Sequence, residues 1–163
     1  MLVISNNLID KMPLPYSAII RINLAWIKSK EELRHLLDNK HDIYLDFPDG
    51  RKKPPVPTFT LEEAVEFAKH PNVKYFAISN AEDVDFLKRL DLDKNTELIP
   101  KIETIKGVHE IPAMIKMGIK TIMLDKEDLY TDCDCDATLY NLLLDEVRKN
   151  DIKILELQGV VFI

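Results

Sequence analysis

The stretch Leu98–Asp132, LIPKIETIKGVHEIPAMIKMGIKTIMLDKEDLYTD, holds an apolar run, a helical pattern closed by glycine, and a second apolar run. Each run ends in charge: Lys101 and Glu103 on the first, Asp125 to Asp128 on the second. A short apolar segment, a capped amphipathic segment and another apolar segment make a βαβ unit. Repetition of that unit fixes the fold class.

The pattern repeats on both sides. SAIIRINL (Ser17–Leu24), HDIYLDF (His41–Phe47), VKYFAIS (Val73–Ser79), TELIPKIE (Thr96–Glu103), IKTIMLD (Ile119–Asp125) and the C-terminal IKILELQGVVFI read as strands, with MLVIS as a possible seventh. Helices are expected between them. SKEELRHLL has Ser29 as N-cap with Glu32 three positions on, and Thr60 and Glu63 repeat that arrangement before LEEAVEFAKH. The spacing lets the cap hydroxyl and the acid satisfy two of the helix's free N–H groups reciprocally. AEDVDFLKRL, GVHEIPAMIKM (closed by Gly118) and ATLYNLLLDEVRKN complete the set, the last with apolar positions at Leu139, Leu142, Leu143 and Val147. Near-continuous apolar strands are expected where helices cover both faces of a parallel sheet. The fold class is therefore α/β, a single domain over 1–163. A full eight-stranded barrel takes about 250 residues. The expectation is a shortened or incomplete (β/α) TIM-type barrel, or an open parallel sheet. A shortened barrel leaves strand edges to be paired with another chain, which points to a homo-oligomer such as a dimer.

Composition narrows the function. A net charge of −6 argues against a polyanion such as nucleic acid as partner, and Arg51-Lys52-Lys53 is too short a basic cluster to reverse that. No run of 18 apolar residues marks a membrane span, and the N-terminus lacks the pattern of a secretory signal, so a cytoplasmic protein is expected. Cys133 and Cys135, in TDCDCDAT, read as part of an acidic, solvated loop, where neighbouring aspartates disfavour thiolates. Trp26, Phe59, Met114, Met117 and Leu124 read as packing residues, and His35, His70 and His109 as structural.

Ligands of parallel α/β folds gather at the C-terminal strand ends. That rule selects Asn23, Asp46, Asp49, Arg51, Ser79, Asn80, Lys101, Glu103, Asp125 to Asp128 and Gln158. Lys101 and Glu103 are two apart on a strand and share a face. Charges on an interior face need partners. A structural ion pair would satisfy them. So would a hard divalent cation, for which Glu103 and Asp128 at neighbouring strand ends are suitable oxygen ligands.

IPKIETIKGVHEI followed by TIMLDKEDL resembles the signature of the phosphoenolpyruvate/pyruvate-binding TIM-barrel superfamily, with pyruvate kinase-like features and features of the HpcH/HpaI aldolase and citrate-lyase-β branch. SNAEDVDFLKRL is similar to a helix of both branches, and IYLDFPDGRKKPP to a pyruvate kinase segment. The resemblance covers most of the chain from about Ser17. It implies a metal-dependent barrel that binds a small 2-oxo acid or phosphoenolpyruvate-like ligand through Mg²⁺ or Mn²⁺. Glu103 and Asp128 are the implied metal ligands, with Glu127 competing for the second place because Asp128 lies one residue beyond the kinase spacing. Lys101 is the implied catalytic lysine, stabilising a transferring phosphoryl group or enolate. Arg21, in the aldolase-like RIN strand, Arg51 and Gln158 are the implied substrate-binding residues, with a solvated loop as the other reading of Arg51.

The departures have consequences. Asp125, Lys126 and Glu127 replace the small residues whose backbone meets the substrate carboxylate, and Leu157 stands where the family has a threonine. The nucleotide-covering insertion and the regulatory domain of the kinases have no counterpart. Phosphorylation of ADP is not expected. The expectation is a C–C lyase-type enzyme of enolate chemistry. The alternative is a catalytically degenerate scaffold that serves as a binding, regulatory or assembly protein.

Overall fold

The computed structural model describes residues 1–158, 161 and 162, with residues 157, 158, 161 and 162 described by backbone alone. The architecture is α/β with parallel strands. The chain groups into two compact units: residues 1–78, 91–98 and 157–163, and residues 79–90 and 99–156.

In the first unit, β1 (Leu2–Ser5), β2 (Ala18–Asn23), β3 (Ile43–Phe47) and β4 (Val73–Ile78) pair in parallel in chain order. β8 (Val161–Phe162) pairs antiparallel with β1. MLVIS is thus a strand. β3 is buried along its whole length, as its apolar sequence requires once both faces are covered. The cross-strand register sorts the side chains. Ile22, Leu45 and Phe76 align on one face, while Arg21, Tyr44 and Tyr75 align on the other. An irregularity between Ile43 and Tyr44 skips Lys74 and brings Tyr44 opposite Tyr75, where their rings stack with centroids 6.2 Å apart.

Helices α1 (Lys30–Leu37) and α2 (Leu61–Ala68) begin where their caps predict. Thr60 and Glu63 form both halves of the capping box, at 3.1 and 3.2 Å. Ser29 Oγ accepts from Glu32 N, but the Glu32 carboxylate accepts from Lys28 N–H, one residue earlier than a capping box requires. The segment 48–60 between β3 and α2 has neither helix nor strand. Phe59 is buried and meets the edge of Phe67. Trp26, expected as a packing residue, is 63% exposed, because the chain turns in a short 3₁₀ segment after β2 and carries the indole outward.

The second unit holds β6 (Thr121–Leu124) and most of β5 (Glu97–Ile102) and β7 (Lys153–Gln158), which run parallel with Lys101, Met123 and Leu155 in register. α3 (Val84–Lys88) is shorter than its pattern suggested, because Asp83 caps it only at Val84. α4 (Ile105–Met117) starts on Thr104, whose hydroxyl oxygen accepts from Gly107 N. It ends on Gly118, at φ 99°, a left-handed position that glycine adopts without steric cost. α6 (Ala137–Lys149) buries Leu143, Leu144 and Val147. Leu142, expected on the apolar face, is instead 64% exposed, and Leu139 also faces out. Met114 and Leu124 are core residues; Met117 is half-buried.

The acidic stretch after β6 is a further helix, α5 (Lys126–Asp132), capped by Asp125. Cys133 caps its C-terminus and is buried, a correction to the solvated-loop expectation, while Cys135 is exposed as expected. Burial, reinforced by Asp132, Asp136 and Asp134, pushes the Cys133 thiol up. Among the described residues no helix is long and apolar enough to cross a membrane.

Candidate metal centre

The sequence places Lys101 and Glu103 at the end of β5, and the fold encloses both: they are 6% and 8% exposed. Lys101 Nζ lies 2.9 Å from Glu103 Oε1 and donates to Ser79 Oγ, also at 2.9 Å. Ser79 donates in turn to Glu103 Oε1 at 3.2 Å. The next residue, Asn80, sits at φ 53°, and its backbone N–H donates to Glu103 Oε2 at 3.0 Å. Both oxygens of Glu103 are therefore held by the two residues that follow β4. A charged pair can persist at this depth only when hydrogen bonds compensate its lost hydration, and this network supplies them.

Beside Glu103 stand Asp125 and Asp128. One ligand oxygen from each of the three carboxylates lies within 4.8 Å of the others. The helical start explains the grouping. Asp125 is the N-cap of α5 and accepts from Asp128 N at 3.1 Å, which brings the first and fourth residues of the turn together. Glu127 lies on a different part of that turn, is exposed, and does not belong to the group. The third carboxylate is Asp125. Treating Asp125 to Asp128 as the end of a strand conceals this; an aspartate followed by acids in the next turn is a helix-start signal.

The remaining candidates have other partners or exposed positions. Arg21, on β2, pairs with Asp46, on β3, through Nε at 2.9 Å and through Nη2. Asp46 has no exposed side-chain surface, so the pair is a buried one. Arg51 is exposed, and its Nε donates to the carbonyl of Lys53 at 2.9 Å, consistent with a solvated loop. The side chains of Gln158 and Leu157 lie outside the described residues. Lys126, the first residue of α5, pairs with Glu156 on β7. His70 lies 3.6 Å from Asp38, and His109 lies 3.8 Å from Glu146, both on partly exposed surfaces. Ser79 and Asp125 are the residues whose roles the sequence did not reveal: each stood among the strand-end candidates, but their partners depend on tertiary register.

The donor set fits a hard divalent cation. All three donors are carboxylate oxygens, as Mg²⁺ or Mn²⁺ prefers. An octahedral ion with bonds of about 2.1 Å holds adjacent oxygens about 3.0 Å apart and opposite ones about 4.2 Å apart, so three donors within 4.8 Å of one another would draw closer around it. The charges fit as well. Lys101 offsets one of the three carboxylates, leaving two negative charges uncompensated within the cluster.

The fold defines a parallel α/β protein with a buried lysine–carboxylate network at strand ends. No family model matches the sequence, and no curated protein matches it. Among solved structures the chain is similar to RipC from Yersinia pestis, with a TM-score of 0.55 and 16% identity over 85% of this chain and 68% of that one. At that identity the likeness bears on the fold alone.

Proposed function

We propose that this chain is a shortened (β/α) TIM-type barrel related to the phosphoenolpyruvate/pyruvate-binding proteins, and that it binds Mg²⁺ or Mn²⁺ together with a small 2-oxo acid. The observation that carries the reading is the convergence of Glu103, Asp125 and Asp128 beside the buried Lys101. Glu103, Asp125 and Asp128 would hold the ion, and Glu127 gives up the place assigned to it by spacing. When bound, the ion supplies a Lewis acid that polarises a ligand carbonyl. Lys101 provides a fixed positive charge where negative charge develops as a C–C bond breaks, in a site where little water screens it. Ser79 and the Asn80 N–H hold Glu103 in place during that change. C–C lyase-type chemistry suits this set better than phosphoryl transfer to ADP.

A second reading has its own support. Both oxygens of Glu103 already accept hydrogen bonds, as expected of a structural ion pair in a binding scaffold that has lost its reaction. Calorimetric titration separates the two. The full chain is titrated with Mn²⁺, then with pyruvate or oxalate in its presence. Heat at submillimolar Mn²⁺ that disappears in Asp128→Asn supports the metal site. A folded protein that shows no heat at millimolar Mn²⁺ leaves only the scaffold.

A further inference from the structure

Ser79 holds an unusual place in this network. An ammonium group can only donate and an ionised carboxylate can only accept, so the one hydroxyl between them must do both. It accepts from Lys101 Nζ at 2.9 Å and gives its own proton to Glu103 Oε1 at 3.2 Å. Ser79 is itself 5% exposed, so water does not readily replace it. The Asn80 N–H fixes the other oxygen, Oε2. Two adjacent residues thus grip both oxygens of a carboxylate that belongs to a different strand.

We propose that Ser79 is the positioning residue of the metal centre: its hydroxyl sets the direction of the Glu103 carboxylate and ties it to Lys101. The assignment rests on the reading of Glu103, Asp125 and Asp128 as metal ligands. Without the hydroxyl, Glu103 keeps its 2.9 Å contact with Lys101 and the bond from the Asn80 N–H, but loses the partner that fixes the rotation of Oε1 between them. Glu103 would then be less available to the ion. Groups that orient a ligand in this way are typically worth about 10- to 100-fold in metal affinity.

The test is Mn²⁺ affinity of the full chain by titration calorimetry, checked by the free Mn²⁺ signal in electron paramagnetic resonance. The variants are Ser79→Ala, Ser79→Thr and Thr96→Val. Thr96 is the control: its hydroxyl is hydrogen-bonded to the carbonyls of Ala68 and Val73, away from the metal residues, and its loss reports the cost of a merely structural hydroxyl. Ser79→Ala should weaken Mn²⁺ by at least about tenfold. Ser79→Thr should restore it to near wild type, and Thr96→Val should leave it unchanged. If Ser79→Ala does not fold, the comparison of Ser79→Val with Ser79→Thr isolates the hydroxyl at nearly constant shape. Wild-type affinity in a folded variant without the hydroxyl overturns the role of Ser79 and leaves the metal centre standing. Absence of Mn²⁺ binding in the wild type overturns both.

Discussion

Replacing Lys101 by methionine tests whether the buried pair is a requirement of the fold or a burden on it. Lys101 and Glu103 are each more than nine-tenths buried. Removing one partner of such a pair leaves an uncompensated charge, at a cost of about 3–5 kcal/mol. Glu103 retains the Ser79 and Asn80 hydrogen bonds, so the lower end, about 3 kcal/mol, is expected. Against a total stability of about 5–15 kcal/mol, that is a large loss. With a urea slope near 2 kcal/mol per molar, the midpoint should fall by about 1.5 M. The double variant Lys101→Met/Glu103→Leu should behave differently. Replacing a whole buried pair by apolar groups is often neutral or stabilising by about 1–4 kcal/mol. Here that gain is offset by Ser79 and the Asn80 N–H, which lose an acceptor at about 1 kcal/mol or more each. The double variant should therefore lie within about 1 kcal/mol of wild type, with a coupling energy about as large as the losses of Lys101→Met and Glu103→Leu taken together. Urea unfolding followed by circular dichroism measures all four corners of the cycle. A loss below about 1 kcal/mol for Lys101→Met, or strict additivity in the double variant, would refute the reasoning.

Two other outcomes follow from buried acids. Tyr44 is held well above its ordinary value, first by burial and then by Asp46, with Arg21 opposing. The folded state thus keeps a proton that the unfolded chain releases near pH 10, so the stabilisation is complete below about pH 10 and is lost as pH rises beyond it. Urea midpoints across pH 9 to 11 should fall, and Tyr44→Phe should make the decline shallower by up to about 1.4 kcal/mol per pH unit; an unchanged slope counts against the burial argument. Of the two cysteines, the exposed Cys135 should react with a thiol reagent at neutral pH much faster than Cys133, which is buried and has a raised thiol pKa. Equal rates in the folded protein would contradict that placement.

Much of the fold was legible because its signals are local. A cap such as Thr60 with Glu63, or a terminator such as Gly118, acts within one turn and needs no tertiary partner. Strand identity was legible for the same reason: runs such as IYLDF stay apolar because both faces are covered. The errors arise where tertiary direction decides. Trp26 and Leu142 have the composition of core residues, and only the path of the chain turns them outward. α5 was overlooked because its acidic start resembles a strand end with charges, though Asp125 capping Asp128 is itself a local signal. Lys101 and Glu103 could be placed on one face by period two alone. Their link through Ser79 required knowledge of which strand lies alongside, and no spacing within a single chain segment contains that.

The two charge groups differ in their balance of charge. In the first unit, Arg21 and Asp46 pair one charge against one. In the second, one ammonium faces three carboxylates whose oxygens lie within 4.8 Å of one another. Two unit charges at that distance repel by about 1 kcal/mol in water and by about 3.5 kcal/mol at an effective dielectric of 20. Asp128 is exposed and Asp125 half-exposed, so solvent relieves much of this, but Glu103 is buried and cannot turn away from its clamp. A divalent cation would remove the repulsion without moving Lys101. The start of α5 accounts for part of the arrangement, because Asp125 accepts from Asp128 N and acids are favourable in a first helical turn. Coordination would account for the rest, since each oxygen that repels its neighbours would become a ligand once an ion is shared. The physical distinction between a structural ion pair and the proposed metal centre is therefore surplus negative charge, which Asp125 and Asp128 would supply.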